Sequence, residues 1–136
     1  MARLFTLDEA IALLPTIQPI LHRIMDLRIR LERAERDTVS LHWKARTNGH
    51  VNYAGTPGAG VPDEVQSQRT NLRSELNAEL VHLRDLGVEL KDPALGLIDF
   101  RSLREARVVY LCWRLGEPTV AYWHDLDAGF ASRQPL

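Results

Sequence analysis

The chain has 136 residues, long enough for one domain that buries roughly two thirds of the surface it would expose unfolded. Hydrophobic residues make up 45% and charged residues 26%, the profile of a soluble globular protein and far from that of a disordered, collagen-like or membrane-embedded chain. With 17 basic and 18 acidic side chains the formal charge is -1, so no overall field draws the protein to nucleic acid or to an anionic membrane.

The opening Met1-Ala2-Arg3-Leu4-Phe5-Thr6 has no apolar stretch of signal-peptide length. Pro15, Gln18 and Pro19 break the next apolar segment well short of the ~20 residues that span a bilayer. Neither export nor insertion is expected, and Cys112, the sole cysteine, fits a reducing cytoplasm. Thr6-Leu7-Asp8-Glu9 reads as a capping box, with the Thr6 hydroxyl accepting from the Glu9 amide and the Glu9 carboxylate accepting from the Thr6 amide. A short helix is expected over Leu7–Leu14, and the chain is expected to kink or restart at Pro15 and Pro19, which have no amide donor.

From Ile17 the apolar positions step by three and four through Ile20, Ile24, Leu27, Leu31, Ala34, Thr38, Leu41 and Ala45, a coiled-coil seam of about four heptads. A helix from Thr16 to Arg46 would be about 45 Å long, more than a small sheet needs for cover, so part of it should meet another helix. Its cations Arg23, Arg28, Arg30, Arg33, Arg36, Lys44 and Arg46 alternate with Asp26, Glu32, Glu35 and Asp37. That pattern marks a solvated flank rather than a phosphate-binding stripe.

Asn48 to Pro62 contains Gly49, Gly55, Gly58 and Gly60 and reads as a flexible connector, because it lacks the Gly-Lys-Ser/Thr ending of a phosphate loop and follows no strand. A second helix opens at Asp63, carries Val65, Leu72, Leu76, Leu80, Leu83 and Leu86, and closes on Gly87 as a left-handed cap.

Beyond Gly87 the period becomes two. Val88–Lys91 and Leu97–Phe100 read as strands around the turn Asp92-Pro93-Ala94-Leu95-Gly96, and Ser102–Ala106 as one helical turn. Val108–Trp113 and Thr119–Trp123 carry the strongest strand signals, joined through Arg114–Pro118 as a hairpin. With Cys112 opposite Val120, one face holds Val109, Leu111, Trp113, Ala121 and Trp123, and the other Val108, Tyr110, Cys112, Val120, Tyr122 and His124. Neither face is polar enough for solvent. The helices are expected on one, and the C-terminal tail, a second subunit or a ligand on the other. The sum is a single α+β domain over 1–136: a long antiparallel helical hairpin preceded by a short helix (7–86), a small antiparallel sheet (88–124) and a tail (125–136).

The segments Gly87-Val88-Glu89-Leu90-Lys91-Asp92, Gly96-Leu97-Ile98-Asp99-Phe100, Val109-Tyr110-Leu111-Cys112-Trp113-Arg114, Gly116-Glu117, Trp123-His124 and Gly129-Phe130 resemble a bacterial family known as domain of unknown function family 2203. Such sequences usually read Pro, Gly and Gly where this chain has Arg101, Ala106 and Ser132. The resemblance implies a bacterial cytoplasmic setting and draws attention to the C-terminal half, and it carries no activity.

The candidate ligand site is the cluster His124, Asp125, Asp127 and Arg133, together with Tyr110 and Tyr122 on the preceding sheet face. These types can bind an anion or a metal, or move a proton. They can equally form turn hydrogen bonds, with Arg133 pinning the tail through a carboxylate. A His-x-x-Asp spacing supplies too few metal ligands, a third being available only by borrowing Glu89 or Asp99 from another strand, so no metal and no cofactor is expected. Cys112 reads as a small buried hydrophobe, and Trp113 and Trp123 as core. Two functional classes follow. One is a non-enzymatic oligomeric or adaptor module, self-associating through its helices and binding neither nucleic acid nor membrane. The other is a small enzyme or metal-binding protein using His124, Asp125 and Asp127.

Overall fold

The structure, a computed structural model, describes residues 3–47 and 62–136, and the side chains of all of these except 38–47. Two helices, α1 (Leu7–Thr47) and α2 (Asp63–Asp85), precede five strands: β1 (Glu89–Asp92), β2 (Leu97–Arg104), β3 (Arg107–Arg114), β4 (Tyr122–Asp125) and β5 (Gln134–Pro135). The strands form one antiparallel sheet in chain order, which makes the protein α+β. Packing divides the chain into two compact units, Met1–Met25 with Glu79–Leu136, and Asp26–Ala78. No helix among the described residues is long and apolar enough to cross a membrane.

The capping box forms as its sequence requires: the Thr6 amide donates to Glu9 Oε1 at 3.0 Å and the Glu9 amide to Thr6 Oγ1 at 3.1 Å. The helix it opens does not stop at the prolines. Instead of a short helix and a restart, α1 continues for 41 residues, about 60 Å, with Pro15 and Pro19 inside it. Both prolines are exposed, whereas Ala10, Leu14, Ile17, Leu21 and Ile24 are buried along the opposite stripe. The hydrogen bonds lost at the prolines therefore leave carbonyls that water can reach, while each buried Leu or Ile contributes roughly 1.5–3 kcal/mol that a broken helix would forfeit.

In the Asp26–Ala78 unit, Leu27, Ala34 and Leu72 are buried, with Leu31 and Leu76 packed partly against them. Arg73 reaches across to Glu35 at 2.8 Å, and the expected Asp26–Arg30 pair forms at 3.6 Å. The seam is thus buried or half-buried from Ile17 to Ala34. Thr38, Leu41 and Ala45 belong to its side chains outside the described set, as does the glycine-rich connector up to Val61. α2 ends as anticipated, in a Schellman motif: the Gly87 amide donates to the Arg84 carbonyl and the Val88 amide to the Leu83 carbonyl, with Gly87 at φ +89°.

The sheet differs from expectation in two places. Ser102–Ala106 is not helical, because β2 runs on to Arg104 and turns through Glu105 and Ala106, both at positive φ (50° and 64°), into β3. Two left-handed residues make a type I′ hairpin turn, whose twist suits the strands even where the sequence lacks the usual Asn-Gly. The second difference is register. Cys112 pairs with Tyr122 rather than Val120, and β4 is Tyr122–Asp125 rather than Thr119–Trp123. A shift of two leaves every side chain on its expected face, since strand parity repeats every second residue.

One sheet face, carrying Ile98, Phe100, Val109, Leu111, Trp113 and Trp123, is apolar and buried. Phe5 meets Phe100 edge-on at 5.1 Å and donates its amide to the Arg101 carbonyl, tying the N-terminal segment to the sheet. Of the three covers expected for the other face, the chain itself supplies one: β5 pairs with β4, and Arg133 of the C-terminal segment stacks over Tyr122 at 4.2 Å.

Because Ala106 holds a left-handed φ that costs an L-residue roughly 1–2 kcal/mol, partly offset by the entropy a glycine loses on folding, Ala106→Gly should raise stability by about 1 kcal/mol. Urea denaturation of the two proteins, compared at equal m-value, measures this. A destabilised variant would contradict the turn.

Candidate functional site

The second face of the sheet is built by strand parity. In β2, Leu97–Arg104, the odd positions Asp99 and Arg101 point away from Phe5 and its partner Phe100. The register places Asp99 opposite Cys112, Arg101 opposite Tyr110, Tyr110 opposite His124 and Cys112 opposite Tyr122. Glu89 joins the row opposite Asp99, and Lys91, two residues further along β1, lies on the same side by strand alternation. Three adjacent strands thereby place a carboxylate, a thiol and an imidazole together, each with relative exposure of no more than 2%.

Asp99 and His124 are in direct contact, with Nε2 at 3.1 Å from both carboxylate oxygens. The other ring nitrogen, Nδ1, lies 2.8 Å from the Asp125 carbonyl. A carbonyl only accepts, so Nδ1 carries hydrogen. A neutral ring would then present a bare Nε2 to the carboxylate, and the contact requires one proton between the two groups. Burial pushes the Asp99 carboxyl above the usual carboxylate range, against the opposing pull of His124. The pair is therefore a shared-proton hydrogen bond in a dry setting, and removal of either partner strands the other.

Cys112 completes the group. Its thiol is pushed up to about 12, first by burial and then by the neighbouring Asp99 carboxylate. Both nitrogens of His124 are engaged elsewhere, so the group beside the sulfur is the Asp99 carboxylate, and a thiol so placed is protonated at neutral pH. A Cys–His nucleophile is excluded by this geometry.

Around the buried group lies a half-exposed ring of charges. Glu89 accepts from Arg101 Nε at 2.8 Å, the Tyr110 hydroxyl at 3.0 Å and Lys91 Nζ at 3.1 Å. Burial raises the Glu89 carboxyl, but these three donors outweigh it and hold the group below its ordinary 4.5. Lys91 and Arg101 stand over the Tyr110 ring at 4.6 and 5.6 Å. At the opposite end Arg133 donates to Glu117 at 2.9 Å while lying between the rings of Tyr122 and Phe130.

Of the residues singled out from the sequence, Tyr110, Tyr122, His124 and Arg133 share this face. Asp125 and Asp127 do not join them. The Asp125 side chain pairs with Arg107 at 3.1 Å, and only its carbonyl serves His124. Asp127 is exposed in the turn after β4, where strand parity no longer aims it at the sheet. Arg133 does hold a carboxylate, that of Glu117. Glu89 and Asp99 enter the sequence reading only as conjectural ligands; Cys112 is buried, as a small hydrophobe would be, and its place beside Asp99 and His124 follows from the register. Asp99 had a readable signal, a lone charge between Ile98 and Phe100 in an apolar strand, but its partners depend on a register that sequence alone does not provide.

Fold and site together define a small α+β protein whose sheet is apolar on one side and carries a closed polar row on the other. A family model described as "Uncharacterized conserved protein (DUF2203)" matches residues 3–136, and the chain belongs to that family. No curated protein and no solved structure matches the chain. The family is uncharacterised, so membership brings no activity with it, and the function of the protein is unknown.

Two outcomes follow from the geometry. Asp99→Ala should cost about 3 kcal/mol or more in urea denaturation, because it leaves His124 buried without its partner, whereas Asp99→Asn should cost markedly less, its amide donating to Nε2. Equal losses would show that the hydrogen bond is not what matters. The depressed Glu89 carboxyl contributes stability that is present above its ordinary 4.5 and disappears as pH falls through its lower folded value. Glu89→Gln should therefore flatten the acid side of the stability profile, read as melting temperature against pH.

Proposed function

We propose that the protein is a non-enzymatic oligomeric module, associating through its helical pair and presenting the polar sheet face to a small anionic ligand. The carrying observation is the small core formed by the described side chains of the helical unit. Among the described residues of Asp26–Ala78, only Leu27, Ala34 and Leu72 are buried, while Leu31 and Leu76 are half covered and Ile29 is 48% exposed. Two helices in water with so little buried surface are marginal by themselves, and a second copy laid along the same seam supplies what is missing. A coiled-coil homodimer in the cytoplasm is the simplest such assembly.

Support for a ligand is of a different kind. Lys91, Arg101 and Arg133 surround the face bearing Tyr110, Tyr122 and His124, and they are met by Glu89 and Glu117, so cations exceed carboxylates in this ring. An anion seated against the exposed edges of Lys91 and Arg101 would be attracted without displacing either pair. Catalysis by His124, Asp125 and Asp127 is the weaker reading, since the three diverge and the imidazole is fully engaged.

Light scattering after size exclusion, at micromolar concentration, should return twice the chain mass of 15.5 kDa. Leu31→Arg should shift the species to a monomer with a lower melting temperature. A wild-type monomer would overturn the assembly outright.

A further inference from the structure

We propose that Asp99, Cys112 and His124 form a binding site for a late first-row divalent metal ion of the zinc type. One ligand atom from each, a carboxylate oxygen, Sγ and an imidazole nitrogen, lie within 4.8 Å of one another, and all three side chains are buried. A tetrahedral zinc ion with Zn–S near ~2.3 Å and Zn–N or Zn–O near ~2.1 Å sets donor atoms roughly 3.5 Å apart. Closing the remaining ångström or so is a matter of side-chain rotation, because the ladder already fixes the backbone. Asp99 and Cys112 are directly paired across β2 and β3, and His124 sits on β4 opposite Tyr110, one step along from Cys112 on the same face.

A second, independent feature points the same way. His124 donates Nδ1–H to the Asp125 carbonyl at 2.8 Å, which fixes the tautomer and aims Nε2 at the group. A backbone carbonyl behind the distal nitrogen is the usual way a protein orients a histidine ligand and raises its basicity. The donor set also selects the ion. One sulfur, one nitrogen and one oxygen suit zinc, cobalt or iron, whereas magnesium and calcium require oxygen-rich cages. Charge is balanced as well: a dication with one thiolate, one carboxylate and a neutral imidazole sums to zero, the condition under which burial is tolerated. Binding releases two protons to solvent, the thiol proton and the one held between Asp99 and His124. Three protein donors leave a fourth position for water or an exogenous ligand.

The test uses the full chain, stripped with chelator and kept reduced, then titrated with Co2+. Cys112 is the sole thiol in the sequence, so a thiolate-to-cobalt charge-transfer band reports this site and no other. The expected result is a band that saturates at one equivalent, tetrahedral d–d absorption beside it, and loss of both when one equivalent of Zn2+ is added. Cys112→Ala should abolish the charge-transfer band. Since that variant can lose stability at a buried position, Asp99→Asn is run beside it, keeping the hydrogen bond to His124 but weakening Co2+ binding roughly tenfold or more. Zn2+ should in addition raise the melting temperature of the wild-type chain. A folded wild-type protein that develops no charge-transfer band, or whose melting temperature is unmoved by Zn2+, overturns the site.

Discussion

The hydrogen bond between Asp99 and His124 sets the terms for the rest of the sheet. An aspartate with 2% exposure in the middle of β2 is tolerable only if its charge is met, and His124 meets it from β4, on the far side of β3. The demand favours β4 against β3 at the register Tyr110–His124, because a slip by one would send His124 to the apolar face and leave Asp99 buried without the imidazole. A buried polar pair of this kind adds little net stability over a hydrophobic substitute. Its effect here is to penalise every alternative pairing of the strands.

Cys112 illustrates how one strand serves two surfaces. Val109, Leu111 and Trp113 alternate with Tyr110 and Cys112, so β3 is buried on both sides although the sheet is antiparallel and only one side is apolar. The polar side is sealed by the stems and flat faces of charged residues. Lys91 and Arg101 lie across Tyr110, and Arg133 across Tyr122, each with its head group held by a glutamate. Long cations cover aromatic surface while keeping their charges at the rim, and that is how a face that reads as hydrophobic in sequence closes without a second layer of helices.

Much of this was legible in the sequence, and the parts that were not have identifiable causes. The capping box at Thr6–Glu9, the left-handed Gly87 and the change of period after it are local signals, and each forms. α1 was misread at Pro15 and Pro19 because the rule against proline in helices weighs only the lost hydrogen bond and the clash. It takes no account of a buried stripe from Ala10 to Ile24 that holds the turns on either side together. The hairpin at Glu105-Ala106 was misread because neither residue is a usual left-handed one. The strands on both sides impose the turn, and the turn residues pay a local strain for it. The site was half legible. Parity gave Tyr110, Tyr122 and His124 one face, but which carboxylate would meet the imidazole depended on pairing between strands 25 residues apart.

The same pairing decides what chemistry the face can support. General acid–base catalysis needs a histidine with one nitrogen free to meet substrate and a partner that orients the other. In this sheet both nitrogens of His124 are committed, one to a carbonyl and one to a carboxylate, and Tyr110 lies beside the ring at 5.4 Å. Cys112 is equally withdrawn, its sulfur kept neutral by burial beside a carboxylate. The rim of this face carries Lys91, Arg101 and Arg133, and its interior holds three potential ligand atoms, all on buried side chains.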